Sequence, residues 1–293
     1  MNQQFKIACI QSNAGPDILP NIQDVDRLIR SARAAGAEFV TTSENFTCIE
    51  FGPERSLAKA VAESEHPAIP HFTALAKELG CWILMGSLTI KLSPSKVNNR
   101  SYLVDPNGRI VARYNKLHLF DVQLKAGETY RESATVEPGD RAVLAALPWG
   151  PLGMTICYDL RFAYLYRALA KAGAKFLTIP AAFTKTTGKA HWHTLVRARA
   201  IETGCYVFAA AQCGQHAGGR KTYGHALIVD PWGEILADAG EAPGFIMAEV
   251  DAAKVEDARR MIPALEHDRP FTGPARLHAE RLVYAEPLAQ AGE

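Results

Sequence analysis

No charge of one sign dominates this sequence: 32 lysines and arginines balance 31 aspartates and glutamates, a formal net charge of +1 over 293 residues. So even a balance offers neither nucleic acid nor an anionic membrane a basic surface to follow. No apolar run approaches the length that crosses a bilayer, and with the first strand-like segment opening at Phe5 no signal peptide is expected. None of Cys9, Cys48, Cys81, Cys157, Cys205 and Cys213 forms a C-x-x-C pair, and most sit in apolar runs, as buried free thiols do. A disulfide-dense scaffold is excluded, and a reducing cytoplasm is the expected compartment. No low-complexity linker divides the chain, so one domain is expected, and a chain this long buries roughly three quarters of its unfolded surface.

Strand-like and helix-like segments alternate. Phe5 to Gln11 reads as strand, and Asn21 as the cap of a helix with Ile22, Val25, Leu28, Ile29 and Ala32 at helical spacing, ending at Gly36. Strands follow at Ala37 to Thr42 and Cys81 to Ile90, with a helix over His71 to Leu79 between them. Leu92 to Asn99 reads as a polar loop, leading into a hairpin of Tyr102 to Val104 and Arg109 to Tyr114. The second half repeats the plan. Strands are expected at Leu152 to Cys157, Lys175 to Pro180 and Cys205 to Ala211, and helices at Ala163 to Ala172 and Ala190 to Glu202. A loop spans Thr184 to Gly188, and a second hairpin Ala226 to Ala237. Both hairpins carry Val-Asp-Pro-X-Gly, from Val104 and from Val229, which implies two pseudo-symmetric halves. Hairpins within βα alternation imply mixed sheets. The expected domain covers 1–268. The tail 269–293, with Phe271, Leu277, Leu282 and Tyr284, is expected to dock, in one reading on a partner subunit.

Cys157 closes the run Leu-Gly-Met-Thr-Ile-Cys and precedes Tyr-Asp-Leu-Arg-Phe, a strand-to-helix turn that would expose its sulfur. The backbone N–H groups that follow can face an oxyanion, and a helix start favours thiolate. Histidine is the usual base for a thiol, yet none of the nine sits in a cysteine-protease context. His191 and His193, two apart, lie on different helix faces and make a poor metal pair, while His118 and His225 read as structural. No metal and no cofactor is expected. Glu44, in Thr-Ser-Glu-Asn-Phe, and Lys116, in Tyr-Asn-Lys-Leu-His-Leu-Phe, each follow a strand, as Cys157 does.

These three segments resemble the signature regions of the nitrilase, or carbon–nitrogen hydrolase, superfamily. The likeness runs from about Phe5 to Asp268. It is strongest through Ile-Cys-Tyr-Asp-Leu-Arg-Phe, Ala-His-Trp-His-Thr-Leu-Val-Arg-Ala-Arg-Ala-Ile-Glu-Thr and Tyr-Gly-His-Ala-Leu-Ile-Val-Asp-Pro-Trp-Gly. The stretch Ala181 to Gly188 and the run ending at Cys213 are most similar to the deaminated-glutathione amidase side of the branch it shares with ω-amidases. The resemblance implies a four-layer α-β-β-α sandwich and a homodimer or higher homo-oligomer paired through outer helices. It implies a Glu44, Lys116 and Cys157 triad, with Glu132 supporting the lysine in preference to Glu128 and the Tyr158 backbone N–H as second oxyanion donor. Arg161 is a candidate clamp for a substrate carboxylate, its alternative being an ion pair with Asp159. Phe183 and Thr184 are further substrate-binding candidates, and the loop from Thr184 to Lys189 offers hydroxyls and two lysines. One departure stands out: Ala163-Tyr164-Leu165 replaces the family's Pro-Glu-Leu after Phe162.

The implied reaction is hydrolysis of the C–N bond of a small carboxylated amide through a Cys157 thioester. Deaminated glutathione, which would release cysteinylglycine, is the leading substrate; a primary amide would release ammonia. Burial is expected to raise the Glu44 pKa while Lys116 stabilises the thiolate, narrowing the gap between base and thiol. An ω-amidase, an N-carbamoyl amino acid hydrolase, a true nitrilase and a non-catalytic scaffold are the alternatives.

Overall fold

In the computed structural model, residues 3–50, 52–124, 129–273, 276–278 and 281–283 are described. The first half comprises β1 (Gln4–Gln11), α1 (Ile18–Ala34), β2 (Phe39–Thr41), α2 (Pro53–Lys59), α3 (Ala68–Leu79), β3 (Trp82–Lys91), β4 (Val97–Val104), β5 (Ile110–Asn115), β6 (Asp121–Gln123) and β7 (Thr129–Arg131). There follow β8 (Val143–Leu147), β9 (Gly150–Met154), α4 (Ala163–Lys171), β10 (Phe176–Thr178), α5 (Lys185–Thr203), β11 (Tyr206–Ala209), β12 (Cys213–Gln215) and β13 (Lys221–Tyr223). The remainder is β14 (Leu227–Val229), β15 (Ile235–Asp238), β16 (Gly244–Asp251), α6 (Ala253–Met261), β17 (Arg276–His278) and β18 (Arg281–Val283).

Two six-stranded mixed sheets form, ordered β16-β1-β2-β3-β4-β5 and β15-β14-β11-β10-β9-β8. Read from opposite ends, they have the same pattern of partners, with three parallel strands (β1, β2, β3 and β9, β10, β11) flanked by antiparallel ones. The pseudo-symmetry extends to single hydrogen bonds. Asp105 Oδ1 accepts from the N–H groups of Asn107 (3.0 Å) and Arg109 (2.8 Å), and Asp230 Oδ1 accepts from those of Trp232 and Glu234 (both 2.9 Å).

Alternation along β1 builds the layers. Phe5, Ile7 and Cys9 enter one core with Met154, Phe176 and Phe208 of the second sheet, while Ala8 and Ile10 enter another with Val25 and Ile29 of α1 and Phe72 of α3. On the far face of the second sheet, Leu165 and Leu169 of α4 and Val196 of α5 complete the packing. The result is the expected four-layer α-β-β-α sandwich, with ring contacts such as Phe39–Phe208 (6.1 Å) between its sheets.

Several boundaries differ from the sequence reading. Helix α1 begins at Ile18, so Asn21 lies inside it, where its buried amide bonds Gly15 and the Thr47 carbonyl. Helix α3 begins at Ala68, with Pro70 in its first turn, where a missing N–H costs nothing. Asn98 and Asn99 belong to β4, not to a loop, and the loop from Thr184 is the cap and first turn of α5. Strands β8 (Val-Leu-Ala-Ala-Leu) and β16 (Gly-Phe-Ile-Met-Ala-Glu-Val-Asp) are additions to the sequence reading; β16 pairs with β1 over its whole length. The chain remains anchored through Asp268, which pairs with Lys171 (2.6 Å) and Arg167 of α4. Beyond it, β17 and β18 pair with each other, and Glu128 and Tyr284 lie outside the described residues. Among the described residues no helix is long and apolar enough to cross a membrane.

Candidate active site

Strands that run in one direction within each sheet deliver side chains at their carboxyl ends, where α/β sheets gather ligands. Glu44 follows β2, Lys116 follows β5, and Cys157 lies just beyond β9. Tight backbone packing fixes the first of these. A Cβ on Gly86 would stand 2.0 Å from the Thr42 carbonyl oxygen, so only glycine lets β3 pass beneath the segment carrying Glu44. The Asn45 N–H then donates to Ser87 Oγ at 2.9 Å.

Cys157 adopts φ 48°, a left-handed conformation rare outside glycine, at the start of the 3₁₀ turn Cys157–Arg161. Several bonds over-determine that strained turn. The Cys157 N–H donates to the Pro180 carbonyl (2.9 Å), Asp159 Oδ2 accepts from the Ile156 N–H (2.8 Å), and Arg199 Nε donates to the Leu160 carbonyl (2.9 Å). Tyr158 is the second residue of the turn, where the geometry leaves a backbone N–H without a partner inside the turn.

The three side chains converge, all buried. Lys116 Nζ stands 2.9 Å from Glu44 Oε1 and 2.9 Å from Glu132 Oε2, and the Cys157 thiol hydrogen-bonds Glu44. The other Glu44 oxygen accepts from the Ala182 N–H at 2.8 Å. Glu132 also accepts from the Phe120 N–H at 2.6 Å. Asn99, which sequence reasoning missed, donates Nδ2 to Glu44 Oε1 (2.9 Å) and to Glu132 Oε1 (3.3 Å). Because β4 runs antiparallel, its first residues lie at the edge where its neighbours end; the signal was an Asn-Asn pair in a supposed loop.

The electrostatics depart from expectation. Burial pushes the Glu44 carboxyl up, but Lys116, the Cys157 thiol and Arg220 together hold it below its ordinary value. Burial and the Glu44 charge push the Cys157 thiol well up, against the pull of Lys116. Burial alone would lower the Lys116 pKa, but Glu132 and Glu44 drive it well above normal. The gap between base and thiol is therefore wider than the sequence suggested. At rest the site holds a carboxylate, an ammonium and a neutral thiol.

Arg161 makes no ion pair with Asp159. Asp159 is occupied by Tyr114 Oη (2.7 Å), the His118 N–H (3.0 Å) and His118 Nδ1 (2.7 Å). The Arg161 guanidinium lies over the rings of Tyr158 (5.8 Å) and Phe183 (5.5 Å), beside His191. Thr184 does not offer its hydroxyl to a pocket: Oγ1 caps α5, accepting from the Thr187 N–H at 3.3 Å. Lys185 pairs with Glu241 (2.9 Å) instead of facing a ligand. Tyr164, at the departure from the family pattern, is exposed and bonds His118 Nε2. His193, His225 and Asp238 bring potential ligand atoms within 4.8 Å of one another, and the two imidazoles satisfy themselves on the shared carboxylate.

A carboxylate, an ammonium and a thiol buried together between paired sheets form the apparatus of a hydrolase that works through a thiol ester. Comparison with known proteins agrees. Residues 6–260 match the family model described as carbon-nitrogen hydrolase. The chain is 43% identical over 268 residues to a deaminated glutathione amidase of Synechocystis, covering 90% of this chain and 97% of that one. It is 38% identical to the human protein of that name, covering 90% and 82%. The NitFhit protein of C. elegans superposes with a TM-score of 0.87 at 32% identity, covering 98% of this chain and 74% of that one. The chain belongs to the carbon–nitrogen hydrolase family, in the nitrilase superfamily. It is an amidase, acting on carbon–nitrogen bonds other than peptide bonds.

Proposed function

We propose that the chain hydrolyses a small carboxylated amide, with deaminated glutathione as the leading substrate. The single observation carrying the chemistry is the buried contact of Glu44 with both Lys116 Nζ (2.9 Å) and the Cys157 thiol. Cys157 Sγ attacks the amide carbonyl as Glu44 takes its proton. The Lys116 ammonium and the Tyr158 N–H stabilise the tetrahedral oxyanion. Glu44 returns the proton to the leaving nitrogen, and the amine departs, leaving a thioester. Water, losing a proton to Glu44, then hydrolyses the thioester and restores the thiol. Glu132 and Asn99 hold Lys116 and Glu44 in place.

The substrate reading draws on the names of the relatives and on Arg161, whose guanidinium lies between two aromatic rings near the nucleophile. Phe183 provides one of those rings, and Thr184 supports it through the α5 cap. The test is product analysis. Deaminated glutathione should yield cysteinylglycine, with a transient mass increase on Cys157 equal to the acyl group. A nitrile or an N-carbamoyl amino acid hydrolysed faster than any carboxylated amide would overturn the substrate reading.

The same reading extends to assembly and place. Ile201, Trp232 and Ile262 are exposed and line one shallow cleft, a surface suited to a second copy in a homodimer or larger homo-oligomer. The tail from 269 to 293 would dock on that partner, and exposed Phe271 lies in it. Light scattering giving only a monomer would reject this. Six free cysteines suit a reducing cytoplasm.

A further inference from the structure

A cleft of about 470 Å³, counting its open mouth, adjoins the base; Asn45, the residue after Glu44, lines it together with Lys59, His66, Thr89 and Arg220. Arg220 is distinctive among them. Its Nη2 donates to the Ala182 carbonyl at 2.9 Å, and the Ala182 N–H itself holds Glu44. Its guanidinium lies 5.8 Å from the ring of Tyr130, two residues before Glu132. The cation is therefore pinned between the residue that orients Glu44 and the segment that carries Glu132. Its Nε is buried and has no hydrogen-bond partner. A buried orphan donor of this kind marks a guanidinium that the protein itself leaves without a full set of partners. Lys59, the other cation of the cleft, is already held by Glu50 (3.2 Å) and Asp17 (3.3 Å). Burial lowers the His66 pKa to about 4, so His66 is neutral at pH 7.

We propose that Arg220 is a specificity-determining residue, gripping a substrate carboxylate remote from the scissile bond through the guanidinium edge that lines the cleft. A guanidinium offers paired donors that match the two oxygens of a carboxylate, which a lysine cannot reproduce. An anchor there, one residue from the group that orients Glu44, fixes the reacting carbonyl against the nucleophile. The assignment rests on the carboxylated-amide reading above and adds a residue to it: Arg161 and Arg220 supply two separate cationic contacts, and deaminated glutathione carries two carboxylates.

The experiment compares wild type with Arg220→Gln and Arg220→Lys, using deaminated glutathione, a neutral aliphatic amide, and glutarate as an unreactive probe. Arg220→Gln should lower kcat/KM for deaminated glutathione about a hundredfold, mostly through KM, and at least about tenfold more than it lowers that for the neutral amide. Arg220→Lys should recover only part of the loss. Glutarate should bind the glutamine variant at least about tenfold more weakly by calorimetry, with the lysine variant replacing it if the former melts early. Equal losses for charged and neutral amides, or unchanged glutarate affinity, would overturn the role of Arg220 and leave the amidase reading standing. Wild-type indifference to the substrate carboxylate would instead reject the carboxylated-amide reading, while the glutarate titration still decides whether Arg220 binds a carboxylate.

Discussion

Asn99 donates its side-chain amide to Glu44, with Nδ2 standing 2.9 Å from Oε1 in the buried interior of the site. The same nitrogen reaches Glu132, so one neutral side chain spans two carboxylates that would otherwise repel each other. Asn99→Asp introduces a third carboxylate and should lower turnover about a hundredfold; Asn99→Ala removes one bond and should cost about tenfold. Steady-state kinetics with thermal melts as control would check both, and wild-type turnover by Asn99→Asp would refute the bridging role.

Cys157→Ala and Cys157→Ser should abolish amide hydrolysis and leave the melting temperature close to wild type, since the thiol is small and its neighbours stay paired. Turnover above a few per cent of wild type, with host enzyme excluded, would reject Cys157 as nucleophile.

Lys116→Ala should lower turnover roughly a hundredfold or more, because the ammonium opposes charge that develops in the transition state. Removing it also leaves Glu44 and Glu132 uncompensated, a loss of about 3 kcal/mol of stability read from urea melts. Lys116→Arg should not rescue, since the wider guanidinium cannot occupy the place of an ammonium between two carboxylates. A fully active arginine variant would show that diffuse positive charge suffices.

The pH profile follows from the two shifts. Glu44 is held below its ordinary 4.5, so the base stays ionised as pH falls through 4.5, and the acid limb of kcat/KM should lie below that value. Cys157 is held above its ordinary 9.0, so no gain in rate from thiolate formation should appear as pH rises toward 9. A rate that climbs through neutral pH with a thiol-like pKa, absent in a Cys157 variant, would contradict this.

Stability carries its own pH signature at His66. The imidazole takes a proton near pH 6.5 in the unfolded chain and near 4 in the folded protein, where burial disfavours the charge. Between those values the unfolded state holds more protons, so stability falls as pH drops from 6.5 toward 4, by about 3 kcal/mol, and levels off below. His66→Asn, which can still accept the 3.3 Å bond from the Ala68 N–H, should flatten that slope in urea titrations at pH 5 and 7.

Much of this was legible in the chain. Periodicity located α1, α3, α4 and α5, though not α2 or α6, and every strand of the two large sheets except β8 and β16, while paired Val-Asp-Pro-X-Gly turns announced two halves that the sheet orders repeat. Glu44, Lys116 and Cys157 were readable because each follows a strand within flanks that resemble the signature regions of the superfamily. Asn99 was not, because its role comes from the reversed direction of β4, a property of pairing that local composition does not carry. Arg220 was hidden for a similar reason: it lies in a Gly-rich turn, and only the fold brings it against Ala182 and Tyr130. The direction of the Glu44 shift was misjudged because burial and a 2.9 Å ammonium act oppositely, and their relative size depends on distance.

The pairing of β16 with β1 also sets a timetable for biosynthesis. Gln4 meets Asp251 across 247 residues of chain, so the outer edge of the first sheet stays open until nearly all of the protein has left the ribosome. Until then β1 presents an unpaired, largely buried-type edge of the kind that recruits strands from other chains. The corresponding edge of the second sheet meets no such delay, since β8 and β9 are neighbours in sequence and pair at once. Of the strands in the two large sheets β16 emerges last, and it completes the sheet that carries Glu44 and Lys116.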